Sequence, residues 1–260
     1  MTLPYLPTVV IVTGASRGLG HAIASRYLAD GALVLGLSRR TADDLASSAE
    51  GTRLEQWPVD LAEPGPVAER LAKWLADTAA RGGVPVRMRL VHNAALLSAP
   101  GAVGDAGSGD VAELARSLRI GLEAPVVLTA AFLQATAAWH ACDRRVLFVS
   151  SGLGRRPMAG SAAYCAQKAG LDHFARALAL EEAARPHGAR VASVAPGVID
   201  TDMQRQLRAA DLARFPERAR FDELHRTGAL DSPAQAAAKL IARLERADFG
   251  EQPVTDVREG

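Results

Sequence analysis

Short apolar runs alternate with segments of helical periodicity along almost the whole chain. Residues 8–13 (TVVIVT) form a β-branched run that meets a glycine, which is typical of a buried parallel strand. Similar runs predict further strands at residues 32–38, 54–59, 87–92, 145–150 and 190–195. Apolar residues at helical spacing predict helices at 19–31, 41–49, 64–80, 110–141 and 162–184, and a last helix that begins at Ser232–Pro233. This alternation predicts an α/β fold, with a single doubly wound parallel sheet and helices on both faces.

Two segments lack this pattern. Residues 98–110 are rich in Gly, Ala, Pro and Ser, which predicts a loop, and Asp110 with Glu113 is predicted to cap the long helix that follows. Residues 197–230 are charge-rich and show no strand alternation, so they are predicted to be irregular. No linker or shift in composition divides the chain, and residues 1–260 are therefore predicted to form one domain.

Charge and cysteine content narrow the class of protein. The 30 basic and 29 acidic residues are mixed along the chain and give a net charge of +1, so no nucleic-acid or anionic-membrane partner is expected. The two cysteines, Cys142 and Cys165, lack metal-type spacing and fit a reducing compartment, so no metal site is expected. No stretch approaches the roughly 20 apolar residues of a membrane span, and no charged leader precedes the first strand. A cytoplasmic protein is the expectation.

The turn after the first predicted strand has the pattern of a phosphate site. Its glycines allow a tight turn and close approach of the backbone to a pyrophosphate, and the following helix offers free N–H groups. The candidate cofactor residues of this turn are Gly14, Ser16, Arg17, Gly18, Leu19 and Gly20. Their G-x-x-x-G-x-G spacing resembles that of the short-chain dehydrogenase/reductase family, which has a Rossmann fold. The resemblance covers nearly the whole chain.

The residues after the second predicted strand favour NADP(H) over NAD(H). An NAD site usually places Asp or Glu there to bind the ribose 2′-hydroxyl, whereas this chain has Ser38-Arg39-Arg40. A guanidinium binds a 2′-phosphate, which a carboxylate would repel, so Arg39 is the candidate, and Arg17 could reach the same phosphate. The alternative is that Arg39 and Arg40 only decorate a surface loop.

The family resemblance implies further contacts to the cofactor. They are Asp60 at the adenine ring, Asn93 and Ala94 along the cofactor, and Pro196, Gly197, Ile199 and Thr201 around the nicotinamide carboxamide. A lone Asp or Asn after a strand is more often a turn residue, so Asp60 and Asn93 depend on their register with the stronger motifs.

Tyr164 and Lys168 are the candidate catalytic pair. They stand four residues apart at the start of a predicted helix, which places both side chains on one face. A neighbouring ammonium, helped by the positive nicotinamide of oxidised cofactor, is expected to stabilise the phenolate and lower the phenol pKa from its usual value of about 10. The resemblance implies that Tyr164 is the general acid and that Lys168 also contacts the nicotinamide ribose.

Ser151 completes the constellation. It ends the fifth predicted strand, thirteen residues before Tyr164, which matches the serine-to-tyrosine separation in the family. By resemblance its hydroxyl binds the substrate oxygen. Ser150 is the adjacent alternative, but strand alternation directs its side chain to the opposite face.

Gly121 departs from the family pattern. Many members carry a catalytic asparagine in the helix before strand five, and the alignment puts Gly121 at that position. The family asparagine anchors a water that links the lysine to proton exchange. We therefore expect either a slower proton relay here or a water that fills the gap.

The C-terminal third resembles the sepiapterin reductase and benzil reductase branch of the family. Members of that branch reduce vicinal diketones or the side-chain diketones of pterins. The resemblance makes Met203 and Asp256 the candidate substrate contacts, and the alternative for Asp256 is that it caps the last strand. Residues 197–230, and within them 204–228, are predicted to form a flap that covers the substrate.

These observations together predict an NADPH-dependent reductase of small carbonyl compounds. Two alternatives stay open: a cofactor-binding regulatory or scaffold protein with little turnover, suggested by Gly121, and an alcohol dehydrogenase that works oxidatively. The resemblance also implies a homodimer or homotetramer, paired through the helices at 110–141 and 162–184.

Overall fold

A single parallel sheet organises the part of the chain that the computed structural model describes, residues 8–48 and 53–259. Its seven strands are β1 (Thr8–Thr13), β2 (Leu33–Ser38), β3 (Leu54–Pro58), β4 (Arg87–His92), β5 (Asp143–Val149), β6 (Arg190–Ala195) and β7 (Val254–Asp256). They lie in the order β3-β2-β1-β4-β5-β6-β7, and every pair is parallel. The predicted fold class is confirmed, and each predicted strand lies within a few residues of its observed position.

Helices cover both faces of the sheet. They are α1 (Gly18–Ala29), α2 (Asp43–Ser48), α3 (Pro64–Gly82), α4 (Ser108–Leu118), α5 (Ala124–Ala135), α6 (Ala162–Ala183), α7 (Asp202–Arg208), α8 (Arg218–Arg226) and α9 (Pro233–Glu245). The predicted capping of the last helix is confirmed, because the Ser232 hydroxyl accepts a hydrogen bond from the Gln235 amide. The last residue of the helix predicted at 41–49 lies outside the described residues.

Side-chain alternation along β1 divides the core into two layers. Val9 and Ile11 pack into the layer formed with α3, α5 and α6, whereas Val10 and Val12 pack into the layer formed with α1 and α9. All four side chains are fully buried. A strand buried on both faces reads as a continuous apolar run, which is why the sequence pattern located it well.

The long helix predicted at 110–141 is shorter than expected and has a different start. Gly107 is the N-cap residue, and its amide donates to the Asp110 carboxylate at 3.1 Å, so the predicted Asp110–Glu113 capping pair is wrong. A wider π-helical turn at Arg119–Glu123 separates α4 from α5, and α5 ends at Ala135. The prediction ran too far because buried apolar residues continue in the turns beyond Ala135.

The helical run from α4 to α5 contradicts the expectation that no stretch of the chain is long and apolar enough to span a membrane. Asp110–Ala135 is a run of 26 residues that meets the length and composition of a membrane span, so the statement that no stretch approaches one was wrong. In this structure, apolar residues of the run pack into the protein core. Ala124, Leu128 and Phe132 are fully buried in the core beneath the sheet.

The segment predicted to be irregular, 197–230, contains the two helices α7 and α8. The apolar pattern did not predict α8, because most residues of this helix are polar and Phe221 alone among them is buried. The base of the segment is closed by a parallel bridge between Ile199 and Asp231, with backbone hydrogen bonds of 2.9 Å on either side.

Candidate functional site

A cavity of about 560 Å³ opens at the carboxyl ends of the strands, where doubly wound sheets bind ligands. Of the predicted site residues, those that line it are Gly14, Ser16, Arg17, Gly18, Leu19, Arg39, Asp60, Asn93, Ala94, Tyr164, Lys168, Pro196, Ile199, Thr201 and Met203. Lining residues that the sequence analysis did not assign to the site are Leu37, Ser38, Arg40, Val59, Leu61, Ala95, Leu96, Ile120, Val149, Ser150 and Asp202. The cavity thus brings together groups from eight stretches of the chain.

The glycine turn between β1 and α1 is shaped for close backbone approach. Gly14 and Gly18 have φ angles of +70° and +58°, a region that L side chains rarely adopt. Gly20 does not line the cavity but lies behind the turn, where a Cβ would come within 2.3 Å of the Gly14 carbonyl oxygen. A helix N-terminus behind such a turn is a ready anion site, so the residues present fit a dinucleotide pyrophosphate.

Thr13 and Asn93 hold the ends of β1 and β4 together beneath the turn. The Thr13 hydroxyl accepts hydrogen bonds of 3.0 Å from the amides of both Asn93 and Ala94. The Asn93 carboxamide donates back to the carbonyls of Thr13 and Gly14. Asn93 therefore fixes the glycine turn as well as lining the cavity. Sequence reasoning missed Thr13, whose only signal was a hydroxyl at the last position of the strand.

Arginines lie at the end of the cavity near β2. Arg39 lines the wall and makes no hydrogen bond or ion pair with the described residues. Arg17 also reaches the wall, but its guanidinium pairs with Asp202 of α7 at 2.6 Å. Of the two predicted phosphate ligands, Arg39 is thus the one without an ion pair among the described residues.

Asp60 lies beside these arginines with both carboxylate oxygens engaged. One accepts from the Ala62 amide at 3.0 Å, and the other accepts from Arg116 of α4 at 2.6 Å. These bonds hold the pKa of Asp60 below its usual range, so the group is an anion at neutral pH. A carboxylate oxygen can accept more than one hydrogen bond, so Asp60 keeps the capacity for a ligand donor.

Tyr164 and Lys168 lie in the first two turns of α6, as the spacing predicted. Both side chains are buried, and the Lys168 Nζ lies 5.6 Å from the centre of the Tyr164 ring. Lys168 donates to the Val149 carbonyl of β5 at 2.7 Å. An ammonium carries three donors, so further donors remain for a ligand in the cavity.

The expected depression of the Tyr164 pKa is not what the protein groups produce. Burial raises the pKa of Tyr164 to about 12, and a hydrogen bond with Ser151 opposes this only in part. Burial also lowers the pKa of Lys168 to about 8, against the opposing charge of Asp172. Desolvation is the largest influence of the protein groups on this phenol, so the predicted lower pKa depends on the positive nicotinamide of oxidised cofactor that the prediction included. Tyr164 is therefore protonated at neutral pH, and Lys168 is mostly cationic.

Ser151 and Ser150 have different partners. The Ser151 hydroxyl accepts a hydrogen bond from the Leu153 amide at 3.2 Å and interacts with Tyr164 so as to lower the pKa of that phenol, but Ser151 is not among the residues that line the cavity. Ser150 lines the cavity, but its hydroxyl donates to Asp172 at 2.6 Å on the other side of the strand. The Ser150 proton is thus donated to Asp172, whereas the Ser151 hydroxyl accepts one backbone hydrogen bond and stays beside Tyr164, where it could bind a substrate oxygen. The geometry favours Ser151, as alternation predicted.

The space beside Gly121 is filled by Gln167. A Cβ built on Gly121 would lie 1.8 Å from the Gln167 Oε1, so no side chain fits while Gln167 keeps its position. Gln167 is fully buried, and its amide donates to Ser117 at 2.8 Å and to the Leu96 carbonyl at 3.2 Å. The expectation of a water in this gap is therefore replaced by a carboxamide from the residue next to Lys168.

An apolar cluster lies over Tyr164 on the side of the flap. Its buried members are Leu97, Met158, Tyr164, Leu207, Phe215 and Phe221, with Met203 and Cys165 partly buried against them. Met203 lines the cavity, whereas Asp256 and Gly197 do not. The Asp256 carboxylate instead pairs with Arg258 at 2.6 Å and accepts the Arg258 amide at 3.0 Å. This arrangement favours the capping interpretation of Asp256 over the substrate interpretation.

Comparison with known proteins identifies the family to which this chain is related. The short chain dehydrogenase family model matches residues 8–212. The chain is 32% identical to a benzil reductase, (S)-benzoin forming, of Bacillus cereus, over 96% of this chain and 99% of that protein. It is 30% identical to the sepiapterin reductase of Mus musculus, over 93% of each chain.

A solved structure agrees in fold and sequence. A short-chain dehydrogenase/reductase from Burkholderia vietnamiensis is 34% identical, with a TM-score of 0.63 over 97% of this chain and 98% of that one. Members of this family bind a nicotinamide cofactor and act on carbonyl and alcohol groups. The chain is an oxidoreductase that belongs to the short-chain dehydrogenase family.

Proposed function

We propose that this protein is an NADPH-dependent reductase of ketones or vicinal diketones, with benzil-like or sepiapterin-like compounds as substrates. The observation that carries the proposal is the placement of Tyr164 and Lys168 in the wall of one cavity, between the glycine turn and the apolar cluster, with Ser151 beside Tyr164. The similarity to a benzil reductase and to sepiapterin reductases supports the substrate class.

The chemistry assigned to each side chain follows from its protonation state. A bound nicotinamide cofactor supplies the hydride that reduces the carbonyl carbon. Ser151 binds the carbonyl oxygen, and the phenol of Tyr164 donates its proton to that oxygen as negative charge develops there. Because burial keeps Tyr164 protonated at neutral pH, the acid is ready in the resting enzyme. Lys168, still mostly cationic, stabilises the phenolate that remains.

The apolar cluster supports a substrate with a hydrophobic body. Phe215 and Phe221 stack with ring centres 5.8 Å apart, and Met203 continues this surface to the cavity wall. Aromatic rings and methionine contribute large, adaptable contact area to such pockets. An aryl ketone or aryl diketone matches this lining better than a sugar or a short hydroxy acid.

The reductase proposal is tested by NADPH oxidation with benzil and sepiapterin in four proteins: wild type, Tyr164→Phe, Ser151→Ala and Ser150→Ala. We expect kcat to fall at least about 100-fold in Tyr164→Phe, the size typical of a lost general acid. Ser151→Ala should lose far more activity than its neighbour Ser150→Ala. If the wild type binds NADPH and reduces no compound in a broad carbonyl panel, the regulatory or scaffold alternative replaces the reductase.

We further propose that Arg39 selects NADP(H). Arg39 lines the cavity beside the end of β2 and makes no hydrogen bond or ion pair with the described residues, although its charge acts on Asp60. Arg39→Asp should raise the KM for NADPH at least about tenfold and bring NADH closer to parity, because a carboxylate repels the 2′-phosphate. Arg40→Asp makes the same charge change one residue away. An equal loss in both variants would contradict the assignment to Arg39.

A homodimer through α4 and α6 completes the proposal. Val111 and Leu118 on α4 and Leu180 on α6 are exposed large apolar residues, with 54%, 38% and 76% of their surfaces accessible. Apolar side chains exposed on adjacent packed helices mark surfaces for association. Leu180→Glu is expected to lower the mass measured by light scattering, and a wild-type protein of monomeric mass would overturn this part.

A further inference from the structure

A buried carboxylate lies directly behind the candidate active site. Asp172 follows Lys168 by one helical turn on α6, is only 1% exposed, and does not line the cavity. One of its oxygens accepts hydrogen bonds from Ser150 at 2.6 Å and from Ser193 of β6 at 2.7 Å. The other accepts from the Arg155 Nε at 3.3 Å. The carboxylate therefore joins three segments of chain.

These partners leave the charge of Asp172 incompletely balanced. Hydroxyl donors solvate a carboxylate but carry no net charge, and a buried carboxylate needs a cation nearby. Arg155 is that cation in part, at a long distance and with 30% of its side chain exposed. Its guanidinium also donates to the Thr255 carbonyl at 2.7 Å. Lys168 is the other cation in this region, and the charge of Asp172 acts on it.

The packing around Gly154 keeps this arrangement tight. A Cβ on Gly154 would lie 2.7 Å from the Asp172 Oδ2 and 3.0 Å from the Lys168 carbonyl oxygen. The loop after β5 thus lies directly on the turn of α6 that joins Lys168 to Asp172. Ser151 lies in the sequence between Ser150 and Arg155, and both of these residues donate hydrogen bonds to the Asp172 carboxylate.

We propose that Asp172 is a positioning residue of this site, whose buried carboxylate fixes the Ser151 turn against α6 and holds a negative charge one helical turn from Lys168. The inference rests on the proposed function, because it takes Ser151 and Lys168 as the groups that serve carbonyl reduction.

Other charges near Lys168 have partners of their own. Titratable and charged groups on the elements packed around it include Tyr164 and Asp172 on α6, Arg155 after β5, Arg116 on α4, Arg190 on β6 and Asp256 on β7. Arg116 pairs with Asp60, Arg190 with Asp143, and Asp256 with Arg258. Asp172 is thus the carboxylate among them with a direct effect on Lys168.

The proposal can be tested by titrating Lys168 itself, without turnover. The chain has three lysines, Lys73, Lys168 and Lys239, so protein labelled with ¹³C at the lysine Cε gives few NMR signals. Lys168→Met assigns the signal of interest, and the two other lysines serve as internal references. In the wild type we expect the Lys168 signal to titrate near pH 8.

Three variants separate charge from hydrogen bonding. Asp172→Asn keeps the shape and an acceptor oxygen but loses the charge, so the Lys168 midpoint should fall by about one pH unit. Ser193→Ala removes one hydrogen bond and keeps the charge, so the midpoint should stay in place. Arg155→Gln removes the competing cation, so the midpoint should rise. The alkaline limb of kcat should move with the NMR midpoint in each variant.

Several outcomes would overturn the proposal. A Lys168 midpoint in folded Asp172→Asn equal to that of the wild type would remove the electrostatic role. Should Asp172→Asn fail to fold, Arg155→Gln decides, because an unchanged or lower midpoint there contradicts the proposal. A wild type that reduces no carbonyl compound, yet shows the expected midpoints, would reject the proposed function and leave the link between Asp172 and Lys168 standing.

Discussion

The two ends of the sheet both contain buried charge, but they use it differently. Toward the amino ends of β4 and β5, the fully buried Arg89 pairs with Asp143 at 3.0 Å and with Glu245 at 2.7 Å. Asp143 also accepts from Arg145 and Arg190, and Glu245 from Tyr27. At the carboxyl ends, Lys168 makes one hydrogen bond, to a backbone carbonyl, and Ser151 is the one side chain whose interaction lowers the pKa of Tyr164.

The pKa values follow this difference. Although burial alone would raise it, hydrogen bonds from Arg145 and Arg190 bring the pKa of Asp143 down to about 2, so the pair stays ionised. Burial instead moves the pKa of Lys168 down and that of Tyr164 up, in each case toward the neutral form. At the amino ends, the fully paired charges of Arg89 and Glu245 fix α9 to the sheet. At the carboxyl ends, Lys168 and Tyr164 have few protein partners and keep donors for a ligand. Incomplete pairing of buried charge is thus what marks the site.

The largest expected effect is at the amino end. Arg89→Leu should lower the free energy of unfolding by about 3–5 kcal/mol, because it leaves buried carboxylates without their partner. Arg26→Leu, which breaks an exposed pair with Asp30, should cost less than about 1 kcal/mol. Urea denaturation measures both. Equal losses would mean that the buried network contributes no more than a surface pair.

A smaller effect is expected beside the catalytic helix. Gly121→Asn should destabilise the protein by about 1–3 kcal/mol, because its Cβ would overlap the Gln167 Oε1. Gln167→Ala combined with Gly121→Asn should recover most of this loss, since the smaller side chain vacates the space. A double-mutant cycle of unfolding free energies checks the coupling, and additive losses would show that Gln167 does not occupy the position of the missing side chain.

The pH dependence of stability should distinguish the buried, neutral His92 from the buried groups that form ion pairs. His92 is buried against Phe148, and burial lowers its pKa from 6.5 to about 3. Because the unfolded chain binds a proton that folded His92 does not, stability present above pH 6.5 is lost as the pH falls toward 3. The expected slope is about 1.4 kcal/mol per pH unit. His92→Asn should flatten this slope in urea titrations, whereas the exposed His225→Asn should not.

The smallest effect should come from the site itself. Tyr164→Phe should change the free energy of unfolding by less than about 1 kcal/mol, because the lost hydroxyl had a single protein partner. The same variant should lose most of its turnover. A large destabilisation would contradict the contrast between the two ends, since it would make Tyr164 part of the structural network.

The sequence predicted the strands and the glycine turn well because both depend on local pattern. A strand buried on both faces, such as β1, must be a continuous apolar run, and a turn at positive φ must contain glycine. Tyr164 and Lys168 were found for the same reason, since helical spacing alone places them together. The π-helical turn at Arg119–Glu123 has no comparable local signal, and the prediction passed through it.

Other features depend on contacts that spacing does not encode. Gln167 was not singled out, because its role depends on a glycine 46 residues earlier in the chain. Asp172 reads as an ordinary polar position on a helix, and only its partners on β5, β6 and the intervening loop reveal its place. The raised pKa of Tyr164 likewise depends on depth of burial, which no motif specifies.

The closed base of the flap has a consequence for how the protein can diversify. Ile199 and Asp231 are far apart in sequence but adjacent in space, so the chain leaves the sheet and returns to it at one point. Thr201, Asp202 and Met203 line the cavity, and Asp202 pairs with Arg17 of the glycine turn, so these three positions are tied to the site. The rest of the segment, from Gln204 to Leu230, can change in length or composition without pulling on the strands that hold the glycine turn and Tyr164.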